Sequence, residues 1–260
     1  RRMETKKFFI PELYSGLICV ENLEDQDQLK RLFVKLKPGV IINCTSLRKP
    51  KTGNIMSFFS LYSLLPHYLA HLCKIHNARL IQISTDGVFS GSQGGYTEYD
   101  LPDASDIYGI SKLLGEVRDQ HAVTLRTSII GHELQTKTGL IEWFLSQDDE
   151  CRCYTRSFFS GFPTIVLARL IKDYILPKHE LYGVYHIASE RISKFDLLKL
   201  VAKRYGKSIK IIPDNDVVID RSLCADRFES SSGYIPPDWP SLIDSMYSNN
   251  LVQQKNNVQR

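Results

Sequence analysis

The stretch Arg79-Leu-Ile-Gln-Ile-Ser-Thr-Asp-Gly-Val-Phe-Ser-Gly91 decides the fold. It opens on a short apolar run, and the hydroxyls of Ser84 and Thr85 follow at once, before a glycine turn. Runs of this kind, isoleucine-rich and bounded by turn residues, read as strands buried on both faces. Val40-Ile-Ile-Asn-Cys44 and Ala122-Val-Thr-Leu-Arg126 are runs of the same type. Helical patterns separate them. Leu23 to Lys37 carries Leu29, Leu32, Phe33 and Leu36 and is closed by Pro38-Gly39; a second helix is predicted over Phe58 to His76, stopped at Asn77, and a third over about Ile107 to Gln120. Gly16 to Glu21 reads as one more short strand. The alternation predicts an α/β fold, a doubly wound parallel sheet with helices on both faces.

Beyond Arg126 the rhythm loosens. Helices are predicted at Leu140–Ser146, Ile165–Ile175 and Lys194–Tyr205, and strands at Gly183–Ile187 and Ile209–Ile212. The expected organisation is a Rossmann-like domain over residues 1–128, a smaller substrate-binding domain over 129–248 with elements returning to the sheet, and a polar, disordered tail over 249–260.

Composition excludes several classes of function. The 260 residues carry a net charge of +4, and their basic side chains are scattered, so no nucleic-acid stripe is indicated. No apolar run approaches the roughly 18 residues of a membrane span. The six cysteines are dispersed, and Cys151-Arg-Cys153 fits neither a zinc knuckle nor a redox pair, which points to a reduced, cytoplasmic protein with no metal. His67 and His71 have helical spacing but lack the following glutamate of a zinc-protease helix.

The candidate chemistry lies in Asp106-Ile-Tyr-Gly-Ile-Ser-Lys-Leu-Leu-Gly-Glu116, where Tyr108 and Lys112 fall on one helix face. About one Tyr-x-x-x-Lys is expected in such a chain from composition alone. A second does occur at Tyr174 and Lys178, but Pro177 interrupts it and no hydroxyl-bearing strand end precedes it. At Tyr108 the context differs. An ammonium one turn away stabilises phenolate and lowers the tyrosine pKa, making the phenol a usable acid. The same ammonium can hold cofactor ribose hydroxyls. Ser84 or Thr85, at the carboxyl end of a buried strand, can hydrogen-bond a substrate oxygen as charge develops on it. The assembly suits protonation of a carbonyl during hydride delivery.

Ser84-Thr-Asp-Gly-Val-Phe-Ser-Gly91, Tyr96-Thr-Glu98, Tyr108-Gly-Ile-Ser-Lys112, Gly115-Glu116 and Leu125-Arg-Thr-Ser128 closely resemble the extended short-chain dehydrogenase/reductases. The nearest branch is dTDP-4-dehydrorhamnose reductase and related sugar-nucleotide reductases. The resemblance runs from about Gly16 to Trp239, with later markers at Gly161-Phe-Pro-Thr164 and Asp220-Arg-Ser-Leu223. It implies a catalytic set of Thr85, Tyr108 and Lys112, with Asn43, Cys44 and Ser84 joining Tyr108 and Lys112 at the cofactor. Asp86, Val88, Phe89, Thr127 and Ser128 are the implied sugar pocket. The implied reaction is hydride transfer from NADPH or NADH to the 4-keto group of a nucleotide-linked 6-deoxysugar, in surface-polysaccharide precursor synthesis. A homodimer is compatible with this, and oligomeric state stays open.

The chain also departs from the pattern. Its first 80 residues contain only Gly16, Gly39 and Gly53, none in a Gly-x-x-Gly, so the pyrophosphate-binding turn and the family's first strand are not found. Lys6-Lys-Phe-Phe-Ile10 is a candidate strand to fill the gap. Tyr62 stands where the family usually has asparagine. These departures motivate one alternative, a non-catalytic sugar-nucleotide-binding or regulatory subunit; an epimerase or dehydratase of the same superfamily is a second.

Overall fold

The computed structural model describes residues 16–47, 55–133 and 138–258. The strand suggested at Lys6–Ile10 and part of the loop after Leu47 lie outside them. Four parallel strands form the central sheet: β1 (Val40–Asn43), β2 (Arg79–Ile83), β3 (Ala122–Arg126) and β4 (Gly183–His186), hydrogen-bonded in that order. Ile41 pairs with Leu80, Ile81 with Val123, and Leu125 with Tyr185.

Successive strand residues point to opposite faces, and each face has its own core. Leu80 and Ala122 pack with Phe33, Leu69, Leu72 and Cys73, which come from α1 (Gln26–Leu36) and α2 (Leu65–Ile75). Ile81, Val123 and Leu125 face a larger core with Phe144, Phe162, Leu167, Leu197 and Trp239. Doubly wound packing is therefore present. The C-terminal elements share this second core with the sheet. Among them, Glu150–Tyr154 pairs with Lys210–Asp214, and Ser157–Phe159 lies between Ile192–Ser193 and Ile219–Asp220.

Local chemistry sets the helix limits. Asp25 caps α1 by accepting from the Gln28 amide at 2.9 Å. Asp106 caps α3 (Ile107–Leu114) in the same way through the Gly109 amide at 3.0 Å. This helix stops at Gly115, short of the predicted Gln120, and Gly115 lies against the Tyr62 backbone, where a β-carbon would come within 1.8 Å of the Tyr62 carbonyl oxygen. α4 (Thr164–Leu170) passes into a wide turn, Ile171–Ile175, and α5 (Lys194–Tyr205) ends at Gly206, whose φ is +63°.

Two expectations are corrected. Gly16 to Glu21 forms no strand; no strand pairs with it among the described residues, and Val20 packs instead against the α1/α2 core. The final helix, α6, runs Trp239–Val258, through most of the segment read as a disordered tail. Its first turns are anchored by buried Trp239, Leu242, Ile243 and Met246, and propagation from an anchored start costs less than nucleation.

Candidate active site

The site forms at the carboxyl ends of the parallel strands, where open α/β sheets bind ligands. A cavity of about 450 Å³ opens there. Cys44, Thr45 and Ser46 line it after β1, and Ile83, Ser84 and Thr85 after β2. Thr127, Ser128 and Ile129 follow β3, Tyr108 and Lys112 come from α3, and Tyr62 faces them. The far wall is one face of α4 and its continuation: Thr164, Leu167, Ala168 and Ile171.

Thr85 leaves β2 in an extended conformation and caps the short turn Asp86–Val88, its Oγ1 accepting from the Gly87 amide at 3.0 Å. That turn aims the hydroxyl at Tyr108, whose phenol it reaches closely enough to lower the pKa. Burial outweighs this contact and raises Tyr108 above the ordinary tyrosine value. The downward shift predicted from Lys112 is therefore not realised in this arrangement. Lys112 instead donates from Nζ to the Ile83 carbonyl at 2.6 Å and lies 5.1 Å from the centre of the Tyr62 ring. Its own pKa falls to about 8, first through burial, with Glu116 opposing.

Tyr62 sits in a wide helical turn, Phe59–Leu64, immediately before α2. Its ring meets the Tyr108 ring edge-on, at 5.7 Å and 85°, and its hydroxyl accepts from the Leu47 amide at 2.6 Å. Tyr62 thus ties together the loop after β1, Tyr108 and Lys112. Beneath the cavity Ser84 donates to Glu116 at 2.9 Å, so Thr85 is the hydroxyl left facing Tyr108. Glu116 also takes a two-pronged contact from fully buried Arg126, at 2.7 and 2.8 Å. Arg126 donates in turn to His186 Nε2 at 3.2 Å, and His186 Nδ1 then donates to the Tyr96 carbonyl at 3.0 Å. Burial, reinforced by Arg126, lowers the His186 pKa to about 4.

Of the residues expected at the site, Cys44, Ser84, Thr85, Tyr108, Lys112, Thr127 and Ser128 meet around the cavity. Four do not line it. Val88 and Phe89 are fully buried in a separate apolar cluster with Tyr96 and Leu223, Phe89 stacking on Tyr96 at 4.1 Å. Asn43 turns back to Gln82 Oε1 at 2.8 Å and to Thr45. Asp86 lies just behind Thr85, which donates to it at 3.2 Å. The second Tyr-x-x-x-Lys does not line the cavity: Tyr174 packs on Tyr234 at 4.9 Å, and Lys178 donates to the Ser231 carbonyl.

The model of the RmlD substrate-binding domain matches residues 14–219. The chain belongs to the RmlD substrate-binding-domain family. Within reach of this RmlD-family chain is methionine adenosyltransferase 2 subunit beta of Danio rerio, 29% identical over 212 residues, covering 74% of this chain and 64% of the relative. Others bearing that name reach 37% identity. The chain thus spans just under two thirds of the zebrafish protein's length. The dTDP-4-dehydrorhamnose reductase of Aggregatibacter actinomycetemcomitans is 24% identical over 252 residues, with 86% of each chain covered. The solved Bacillus anthracis dTDP-4-dehydrorhamnose reductase in complex with NADP shares the fold at a TM-score of 0.75 and 19% identity, covering 88% of this chain and 86% of that one.

Proposed function

We propose that the pocket binds a nicotinamide dinucleotide and holds a ligand carbonyl against Thr85 and Tyr108, in a protein that serves as a subunit of a methionine adenosyltransferase assembly. The binding half rests on the cavity at the strand ends, with buried Lys112 at its wall and the hydroxyls of Thr45, Ser46 and Ser84 around it. These residues suit the ribose and nicotinamide end of NADPH or NADH. When bound, that group supplies a hydride. Thr85 would orient the carbonyl oxygen, and Tyr108 would hold the proton it receives.

The subunit half is supported by the likeness to methionine adenosyltransferase 2 subunit beta, and by one feature of the site. Lys112 is engaged with the Ile83 carbonyl and the Tyr62 face, and Tyr108 keeps a raised pKa. A phenol so held is a poor acid at neutral pH. The test has two readouts on one preparation: calorimetric titration with NADPH, and co-elution with a methionine adenosyltransferase catalytic subunit. Saturable NADPH binding together with co-elution supports the reading. Failure to co-elute removes the subunit half.

A second reading is favoured by the contact of Thr85 with Tyr108. It is reduction of the 4-keto group of a nucleotide-linked 6-deoxysugar by NAD(P)H, in the cytoplasm, for surface-polysaccharide precursors. Absorbance-monitored consumption of NADPH with a 4-keto-6-deoxy sugar nucleotide, abolished in Tyr108→Phe, would establish it. Absence of turnover alongside NADPH binding leaves the subunit reading in place.

A further inference from the structure

Cys151-Arg-Cys153 lacks the spacing of a redox pair, yet the strand Glu150–Tyr154 gathers its two thiols. Residues two apart in a strand share a face, and here Cys151 and Cys153 turn inward while Glu150, Arg152 and Tyr154 are exposed. The sulfurs lie 3.5 Å apart, and both residues belong to the core that holds Leu197, Leu198 and Val201 of α5. Cys151 is 6% exposed and Cys153 2%. Burial, and then the contact with Cys151, pushes the Cys153 thiol up to about 12. Among the described residues no third His, Cys, Asp or Glu joins the pair to complete a metal site.

The strand sets both the reach of these thiols and the strain of joining them. Alpha carbons two residues apart in a strand are separated by about 6.5 Å. That is near the long limit of the roughly 4.4–6.8 Å across which a disulfide forms. A bond of about 2.05 Å in place of the 3.5 Å contact therefore draws the backbone in at Arg152. Arg152 is paired in register with Ile212 and bound to Asp214 at 3.1 Å, so the bond is made against the ladder with Lys210–Asp214. A strained disulfide is the readily reduced kind, and in a reducing compartment it acts as a transient, redox-sensing bond. Access requires only local opening, because Lys210–Asp214 is the single strand partner of Glu150–Tyr154 among the described residues.

We propose that Cys151 and Cys153 form a redox-sensitive modification site, a dithiol that closes reversibly to a disulfide by exchange with a low-molecular-weight disulfide such as glutathione disulfide. Cys151, the more exposed thiol, attacks first. Its sulfur bonds to one glutathione sulfur, the glutathione S–S bond breaks, and the departing thiolate takes up the proton that Cys151 gives up. Cys153 then attacks the Cys151 sulfur and expels the second glutathione, which receives the Cys153 proton. Together the two protein thiols lose two electrons, and one glutathione disulfide is reduced to two thiols. The site is independent of the carbonyl chemistry at Thr85 and Tyr108.

The experiment equilibrates the whole native chain in buffers of stepped glutathione disulfide to glutathione ratio, alkylates the remaining thiols in denaturant, and maps tryptic peptides by mass spectrometry. Trypsin cuts after Arg152, so the bond appears as the peptides on either side held together until reductant is added. At low occupancy the joined fraction should rise about tenfold for each tenfold rise in glutathione disulfide over the square of glutathione. Cys153→Ser, checked for folding by circular dichroism, should stop at a glutathione adduct on Cys151. The wild-type map decides the matter even where that variant fails to fold. Free thiols at both positions at the highest disulfide ratio overturn the site, as does a link that forms only in urea.

Discussion

Lys112 reaches across the site and donates to the Ile83 carbonyl at 2.6 Å, so the lysine of α3 is fastened to the strand that delivers Thr85. The ammonium is then one short contact away from any ribose that enters after β2. Because burial lowers its pKa to about 8, the charge is present at pH 7 and lost as pH rises through that value. NADPH affinity should therefore fall between pH 7 and 9 in wild type. Lys112→Met should bind weakly at both pH values with a flat profile. A pH-independent wild-type affinity would show that the ammonium does not hold the dinucleotide.

His186 titrates near pH 4 in the folded protein, against an ordinary value of 6.5. The unfolded chain binds the proton first as pH falls, so the neutral histidine's contribution is complete above about pH 6.5 and is lost towards pH 4. The shift corresponds to roughly 3 kcal/mol. Urea unfolding of wild type should weaken over that window, and His186→Gln should remove the corresponding slope. An unchanged slope in the variant would rule this histidine out as its source.

Removing Glu116 strands the Arg126 guanidinium, which is 1% exposed and has Glu116 as its only acid among the described residues. Glu116→Ala should cost about 3–5 kcal/mol in urea unfolding, the usual penalty for breaking a buried pair. Glu116→Gln keeps an acceptor for Ser84 and one for Arg126 and should cost less. Equal losses would mean that charge plays no part.

Gly109 lets α3 rest on the turn that carries Thr85. A β-carbon there would fall 2.3 Å from the Gly87 carbonyl oxygen and 2.5 Å from Ala104 Cβ. Gly109→Ala should therefore cost about 1–3 kcal/mol by overpacking and move Tyr108 away from Thr85. Gly39→Ala, with nothing within 4 Å, is the matched control. Thermal unfolding of the two variants decides it, and equal midpoints refute the close-packing argument.

The sheet was legible because a strand buried on both faces cannot alternate, as β2 and β3 show; β1 has the same apolar composition but leaves Ile42 exposed, so its predicted burial on both faces is not found. Lys194–Tyr205 was legible from its apolar residues, Phe195, Leu197, Leu198, Leu200 and Val201. Gly16 to Glu21 misled because strand-like composition says nothing about whether a partner strand lies alongside. Val88 and Phe89 misled because position after Thr85 does not reveal that the Asp86–Val88 turn sends the chain inward. The far wall of the cavity was missed. Its signal was the helical spacing of Thr164, Leu167, Ala168 and Ile171, which reads as an ordinary core stripe until the fold brings it opposite Lys112. Tyr62 stood out only as a departure from the family pattern, and its contacts with Tyr108 and Leu47 depend on the wide turn at Phe59–Leu64.

Thr85 caps its own turn, and Lys112 secures a strand carbonyl. Both residues therefore have architectural employment that continues whether or not a substrate is ever turned over. Selection for a stable scaffold alone would preserve them, and a lineage that abandoned the reaction would go on inheriting most of its signature. In this fold the motif can outlive the chemistry, because the contacts that hold Thr85 and Lys112 in place are made to the backbone itself.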